Sequence, residues 1–322
     1  MTATLEPPTE SVVDRFLRYV RIDTQSREDH DTTPSTPTQW ELANLLAAEL
    51  RQLGAIDVRV SDFCMVYASI PGTLPNAASV PTVGFIAHMD TSPAVSGANV
   101  NPIVHPNYQG GDIALPADPS QVITVAQHPV LNEMIGDDII TADGTTLLGS
   151  DDKAGVAAIM TLVDLLTRNP QIEHGPVRVA FTADEEIGTG IDRFDVAAFG
   201  ADFAYTVDGS TLGEVSDETW SARLATVTFD GKSAHPGTAK GAMVNSVYAM
   251  ADFLRTMPRD MLPETTEERE GFVHPYVGTL DVERSTVKIL LRDFDLGGLE
   301  TKERLVRRLA RETVARFPGV DT

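Results

Sequence analysis

Four apolar runs in this chain each end on an acid or an imidazole, and that pattern limits the folds open to it. The runs read VGFIAHMD, LLGSDD, VRVAFTADEE and DFAYTVD. They deliver His88 and Asp90, then Asp151 and Asp152, then Asp184, Glu185 and Glu186, then Asp208. In an open α/β sheet, ligands bind outside the carboxyl ends of the strands. Four such runs therefore predict one sheet edge lined with carboxylates and an imidazole. No single cation needs that many anionic ligands, so the pattern points to a site for two metal ions. A fifth cluster, Ser233-Ala234-His235, follows further along.

The 322 residues suit one large or two moderate domains. Helical periodicity marks 11–19 and 38–53, with Gly54 as the stop. Strands are predicted at 56–60, 64–70, 82–88, 177–183 and 203–207, the last three as buried strands. Between them, 154–167 is the most apolar helix of the chain. Residues 91–137 are rich in Pro, Gly and Asn and read as an irregular surface excursion around the site. This βαβ alternation predicts an α/β fold, a mixed and mostly parallel sheet flanked by helices. Past residue 213 the pattern changes. Strand 222–230, helix 241–256, strands 276–283 and 286–293 and helix 299–316 form a β-α-β-β-α order, a small α/β sandwich lacking a last strand.

Charge and composition exclude several partners. With 47 acidic and 25 basic residues, the net charge is −22. Such a surface repels nucleic acid and anionic membrane. No run approaches the roughly 18 apolar residues of a membrane span, and the start, MTATLEPPTE, has no basic, apolar leader. Cys64 is the only cysteine. It permits no intrachain disulfide and reads as a buried small hydrophobe, so a reducing, cytoplasmic setting is expected. The Gly-x-Ser-x-Gly elbow, the phosphate-binding Gly-x-x-x-x-Gly-Lys loop and the Gly-x-Gly-x-x-Gly fingerprint are all missing.

Each cluster has an ordinary alternative when taken alone. His88 could be a satisfied histidine at a strand end, Asp151 and Asp152 a helix cap, Asp208 a turn aspartate before Gly209. The run 184–186 is harder to explain without a cation, because three adjacent acids at a buried strand end repel one another. One imidazole and several carboxylates suit zinc, with manganese and cobalt chemically acceptable. Two such ions lower the pKa of a shared water and polarise a carbonyl. A neighbouring free glutamate can carry the proton to a leaving amine. The reaction class is amide hydrolysis.

The strings IAHMDTS, LLGSDDKAG, FTADEEIGTG, TVDGS, GKSAHPGTAKGAMVN and LLRDFD occur in an order and spacing that resembles the dizinc exopeptidase family, and within it the aminopeptidases acting on tripeptides. The resemblance runs from the first helix to the last residue. It implies a zinc exopeptidase catalytic domain at 1–212 and a ferredoxin-like lid and dimerisation domain at 213–322, with two Zn2+ per subunit. By motif, His88 binds one ion with Asp90 orienting it, Asp151 bridges the pair, and Glu186 and Asp208 are the remaining ligands. Glu185 is the general acid/base. His235, Asn245 and Arg292 touch substrate, Arg292 through the terminal carboxylate of the peptide; an ion pair with Asp293 or Asp295 is the plain alternative for Arg292. The family also holds dipeptidases, carboxypeptidases and deacylases, and homodimers through the small domain occur in it. Its members continue past the position of Thr322, through a last small-domain strand and a final histidine ligand. His105, His128, His174 and His274 do not fit that ligand's motif. The expectation is thus a C-terminally truncated chain with one metal ligand missing. Its activity would be reduced, or it would be an inactive metal-binding fragment with an unpaired sheet edge.

Overall fold

The computed structural model describes residues 5–209 and 211–322, so Ser210 of the TVDGS string and residues 1–4 lie outside the described residues. The chain divides into two compact units, residues 1–214 and 215–322.

In the first unit the elements are α1 (Val12–Tyr19), α2 (Gln39–Gln52), β1 (Ile56–Val60), β2 (Val66–Ile70), β3 (Val83–His88), β4 (Ile103–His105), β5 (Ile113–Leu115), β6 (Asp118–Ile123), β7 (Ile139–Thr141), α3 (Ser150–Arg168), β8 (Val177–Thr182), α4 (Val196–Phe199) and β9 (Phe203–Thr206). The main sheet has the order β1-β2-β8-β3-β9. β3 pairs parallel with β8 and β9, whereas β2 runs against both β1 and β8. The sheet is therefore mixed, and only β2 is reversed.

Helical spacing explains the packing. Leu42, Leu46 and Leu50 recur every four residues on α2 and are fully buried. With Val156, Ile159, Met160 and Val163 of α3 they pack on the sheet residues Val66, Ala68, Val179 and Phe181. Tyr67 and Ala180 face the other way and meet Phe199 of α4. α3 approaches the sheet closely at Gly155, where an added Cβ would lie 2.1 Å from the Val207 carbonyl oxygen. Any side chain there would push α3 away from the end of β9.

Several details differ from the sequence reading. β9 is exposed along its whole length, with Phe203 47% and Tyr205 48% accessible, because it is an edge strand bonded only to β3. The excursion carries β4, β5 and β6; β5 pairs with β6, and β4 pairs with β7 just past its end, near a satellite cluster of Tyr108, Ile113 and Leu131. Three of these four strands have only three residues, too few for alternation to be seen in a sequence. The LLGS run is not a strand: Gly149 takes a left-handed conformation, and the backbone is still non-helical at Asp151 and Asp152 before α3 becomes regular.

The second unit contains β10 (Ser221–Asp230), α5 (Ser246–Arg255), β11 (Phe272–Thr279), β12 (Arg284–Asp293) and α6 (Leu296–Arg316). Its antiparallel sheet has the order β10-β12-β11. One face, with Phe229, Val273, Ile289 and Leu291, is sealed by Phe253 of α5 and by Leu299 and Val306 of α6. α5 begins five residues later than its periodicity predicts, because Val244 is still bridged to Lys232 and Asn245 caps the helix. β11 begins earlier than predicted, and it tolerates Pro275 because it is an edge strand with an irregular register there.

Candidate active site

Strand pairing brings the clusters together. His88 ends β3 opposite Thr182 of β8, and Ile86 lies opposite Thr206 of β9. The acids at 184–186 and Asp208 follow those two strands at once, so both reach the carboxyl edge beside His88. His88 Nε2 lies 2.8 Å from Asp151 Oδ1 and 3.9 Å from both Glu185 Oε2 and Asp208 Oδ2. Potential ligand atoms of His88, Asp151 and Asp208 all fall within 4.8 Å of one another. Behind the ring, Nδ1 sits 3.0 Å from the Asp90 backbone carbonyl, which can only accept. Nδ1 is thereby held as a donor, which leaves Nε2 as the nitrogen aimed at the acids.

Three buried carboxylates build the frame. Asp90 has no exposed surface; its Oδ1 accepts the Glu185 N–H at 2.9 Å and its Oδ2 the Glu186 N–H at 3.2 Å. Asp152 accepts the N–H of His88 at 3.2 Å and that of Gly155 at 3.0 Å, tying β3 to the start of α3. Asp184, at φ 59, accepts the Ser35 N–H at 2.8 Å, the Ser35 hydroxyl at 2.6 Å and the Gln39 amide at 2.8 Å. Residues 185 and 186 are thus gripped from both sides. Sequence reasoning missed the work of Asp152, Asp184, Ser35 and Gln39, although the strings DDK and DEE flagged two of them.

The electrostatics favour a cation. Burial pushes the carboxyl pKa values of Glu185, Glu186 and Asp208 up, and neighbouring acids push the same way, against the pull of His88. Burial lifts Asp152 to about 8 against the pull of His88. Burial disfavours the His88 imidazolium, but the bonded Asp90 and then Asp152 and Glu185 outweigh it and raise the ring to about 10. Among the described residues, Asp151, Glu185 and Asp208 pair with His88 and with no lysine or arginine. Lys153 does not answer them: its ammonium donates to the Ile22 carbonyl, and burial lowers its pKa to about 8. One nitrogen and several carboxylate oxygens, half-exposed and short of positive charge, fit divalent metal. A cavity of about 340 Å3 opens beside them, with Ile86, Ile191 and Phe194 as apolar wall.

The second unit places the other three expected residues as follows. His235 is exposed and accepts the Gly237 N–H at its own ring nitrogen. Asn245 uses its side-chain oxygen to cap α5 through the Val247 N–H. Arg292 forms no ion pair with Asp293 or Asp295: Asp293 is bonded to Lys302, and Asp295 caps α6.

Comparisons with known proteins agree with this architecture. Residues 221–316 match the family model described as peptidase dimerisation domain. Peptidase T of Listeria monocytogenes serotype 4a is 48% identical over 286 residues, 89% of this chain and 69% of that protein. Peptidase T of Geobacillus kaustophilus is 44% identical over 308 residues, 96% of this chain and 74% of its own length. Among solved structures, a tripeptidase from Staphylococcus aureus superposes with a TM-score of 0.66 at 21% identity, over 96% of this chain and 73% of that one. A Bacillus subtilis protein described as a dinuclear metal-binding peptidase from the M20 family superposes at 0.55 and 12% identity, over 96% and 71% of the two chains. The superpositions speak for the fold, and the sequence identities decide the family: the chain belongs to the peptidase T family.

Proposed function

We propose that this chain is a metal-dependent aminopeptidase that removes the N-terminal residue from tripeptides. The observation that carries the reading is the convergence of His88, Asp151 and Asp208 at the ends of β3 and β9 and the start of α3. Its relatives are named peptidase T. In this reading His88, Asp151, Glu186 and Asp208 would hold two divalent ions, with Zn2+ as the metal. Such ions supply a Lewis acid for the scissile carbonyl and make a water more acidic. Asp90 keeps His88 oriented and anchors the 185–186 backbone. Glu185 takes the proton of the attacking water and passes it to the leaving amine. The raised carboxyl pKa of Glu185 suits a group that must both accept and return a proton.

His235, Asn245 and Arg292 serve the substrate, with Arg292 receiving the terminal carboxylate. A guanidinium at a set distance from the reacting bond makes peptide length a criterion. Residues 221–316, the dimerisation-domain match, provide the homodimer contact. No helix among the described residues is long and apolar enough to cross a membrane, and a cytoplasmic setting suits the buried thiol of Cys64, whose pKa burial raises to about 12.

The test is a substrate panel under zinc. Trialanine should lose its N-terminal alanine, with chelator stopping the reaction. Faster turnover of a dipeptide or an N-acyl amino acid would contradict the tripeptide reading and favour another member activity of the wider family.

A further inference from the structure

On the small-sheet face opposite α5 and α6, Arg292 is a cation that pairs with no carboxylate among the described residues. Arg292 on β12 lies directly opposite Ala222 on β10 and Phe272 on β11. Trp220 precedes Ala222 by two positions and so shares its face. The guanidinium carbon is 4.1 Å from the Trp220 ring centre and 5.1 Å from that of Phe272. Both lie within cation–π range. The neighbouring acids are committed elsewhere, Asp293 to Lys302 at 2.5 Å and Asp295 to the Gly298 N–H at 2.9 Å. Arg292 Nε is buried and has no hydrogen-bond partner. Burial disfavours the charged form, which the lowered pKa reflects.

A polar hydrogen left buried and unpaired is destabilising, and a ligand that satisfies the guanidinium would offset that cost. A guanidinium carries its five N–H donors on its rim and is matched best by a planar carboxylate that accepts two of them. A free arginine side chain has many rotamers, and binding must freeze them. Aromatic rings against the guanidinium restrict it beforehand and leave its rim for the ligand.

We propose that Trp220 and Phe272 are positioning residues that hold the Arg292 guanidinium ready for the terminal carboxylate of the peptide. This rests on the carboxylate-receiving role given to Arg292 above. Neither ring touches the reacting bond. Their effect is on recognition of a free C-terminus, and a ligand without that carboxylate gains nothing from them.

Calorimetric titration of the metal-free protein with trialanine and with trialanine amide tests this without turnover. The wild type should bind trialanine more tightly than the amide, and Arg292→Ala should abolish the difference. Trp220→Leu and Phe272→Leu should each weaken trialanine binding about tenfold and leave amide binding unchanged. Trp220→Phe and Phe272→Tyr, which keep a ring in place, should restore it. Trp220 is 50% exposed and stands just before β10, so its loss leaves the sheet intact. Leucine variants that bind trialanine like the wild type, or that weaken both ligands equally, would overturn the positioning role while Arg292→Ala keeps its selective effect. An Arg292→Ala protein that discriminates as the wild type does would remove the carboxylate role itself, and the positioning role with it.

Discussion

Glutamine in place of Glu185 lowers kcat for tripeptide hydrolysis by about 10³, within the usual range for loss of a positioned acid/base. The amide is close to the carboxylate in shape but cannot accept and return a proton. The frame around it does not depend on its side chain. Asp90 holds residues 185 and 186 by their backbone N–H groups, and Asp184 is anchored by Ser35 and Gln39. Metal content measured by elemental analysis should therefore equal that of the wild type. Activity kept within about tenfold of wild type, with metal bound, would show that another group moves the proton.

The second large effect concerns stability. Asp164 on α3 is fully buried and accepts from Arg15 Nη2 at 2.5 Å, from the Thr9 hydroxyl at 2.5 Å and from the Thr9 N–H at 2.8 Å. Arg15 on α1 is itself only 2% exposed. Asp164→Ala leaves that guanidinium buried with the Thr9 hydroxyl at 3.4 Å and the more distant Glu10 and Glu49 carboxylates, each at 3.8 Å. Removing one partner of such a pair costs about 3–5 kcal/mol. Urea denaturation should show this loss as a lower midpoint, with α1 and the preceding arm detaching from α3. Asp164→Asn, which keeps an acceptor oxygen, should lose less. Equal stability of Asp164→Ala and the wild type would mean that water or the two glutamates replace the pair fully.

The catalytic edge was legible because its logic is local. A strand that stops on an acid announces itself in a dozen residues, and His88, Glu185, Glu186 and Asp208 follow strands as their sequences indicate. Parallel pairing then brings them together without any further signal. The frame was not legible, because it depends on contacts far apart in the chain. Ser35 and Gln39 bond Asp184 across about 145–149 positions, and nothing in PSTPTQW hints at it. The run before Asp151 and Asp152 looks like a strand end but is not one; as their place before an apolar helix indicates, the two aspartates lead into α3 with non-helical dihedrals, and its position depends on Gly155 against Val207. β9 was read as buried because FAYT looks apolar, but strand order makes it an edge. Arg292 shows the same limit from the other side. Its sequence neighbours offered two acids, and the fold gives both to other partners.

Zinc titration of the metal-free chain, followed by calorimetry, decides whether this edge is a metal site. Saturable zinc binding is expected, weakened by His88→Ala and abolished by Asp151→Ala, since Asp151 would be shared by both ions. Zinc binding that is absent in the wild type, or that survives Asp151→Ala unchanged, would contradict it.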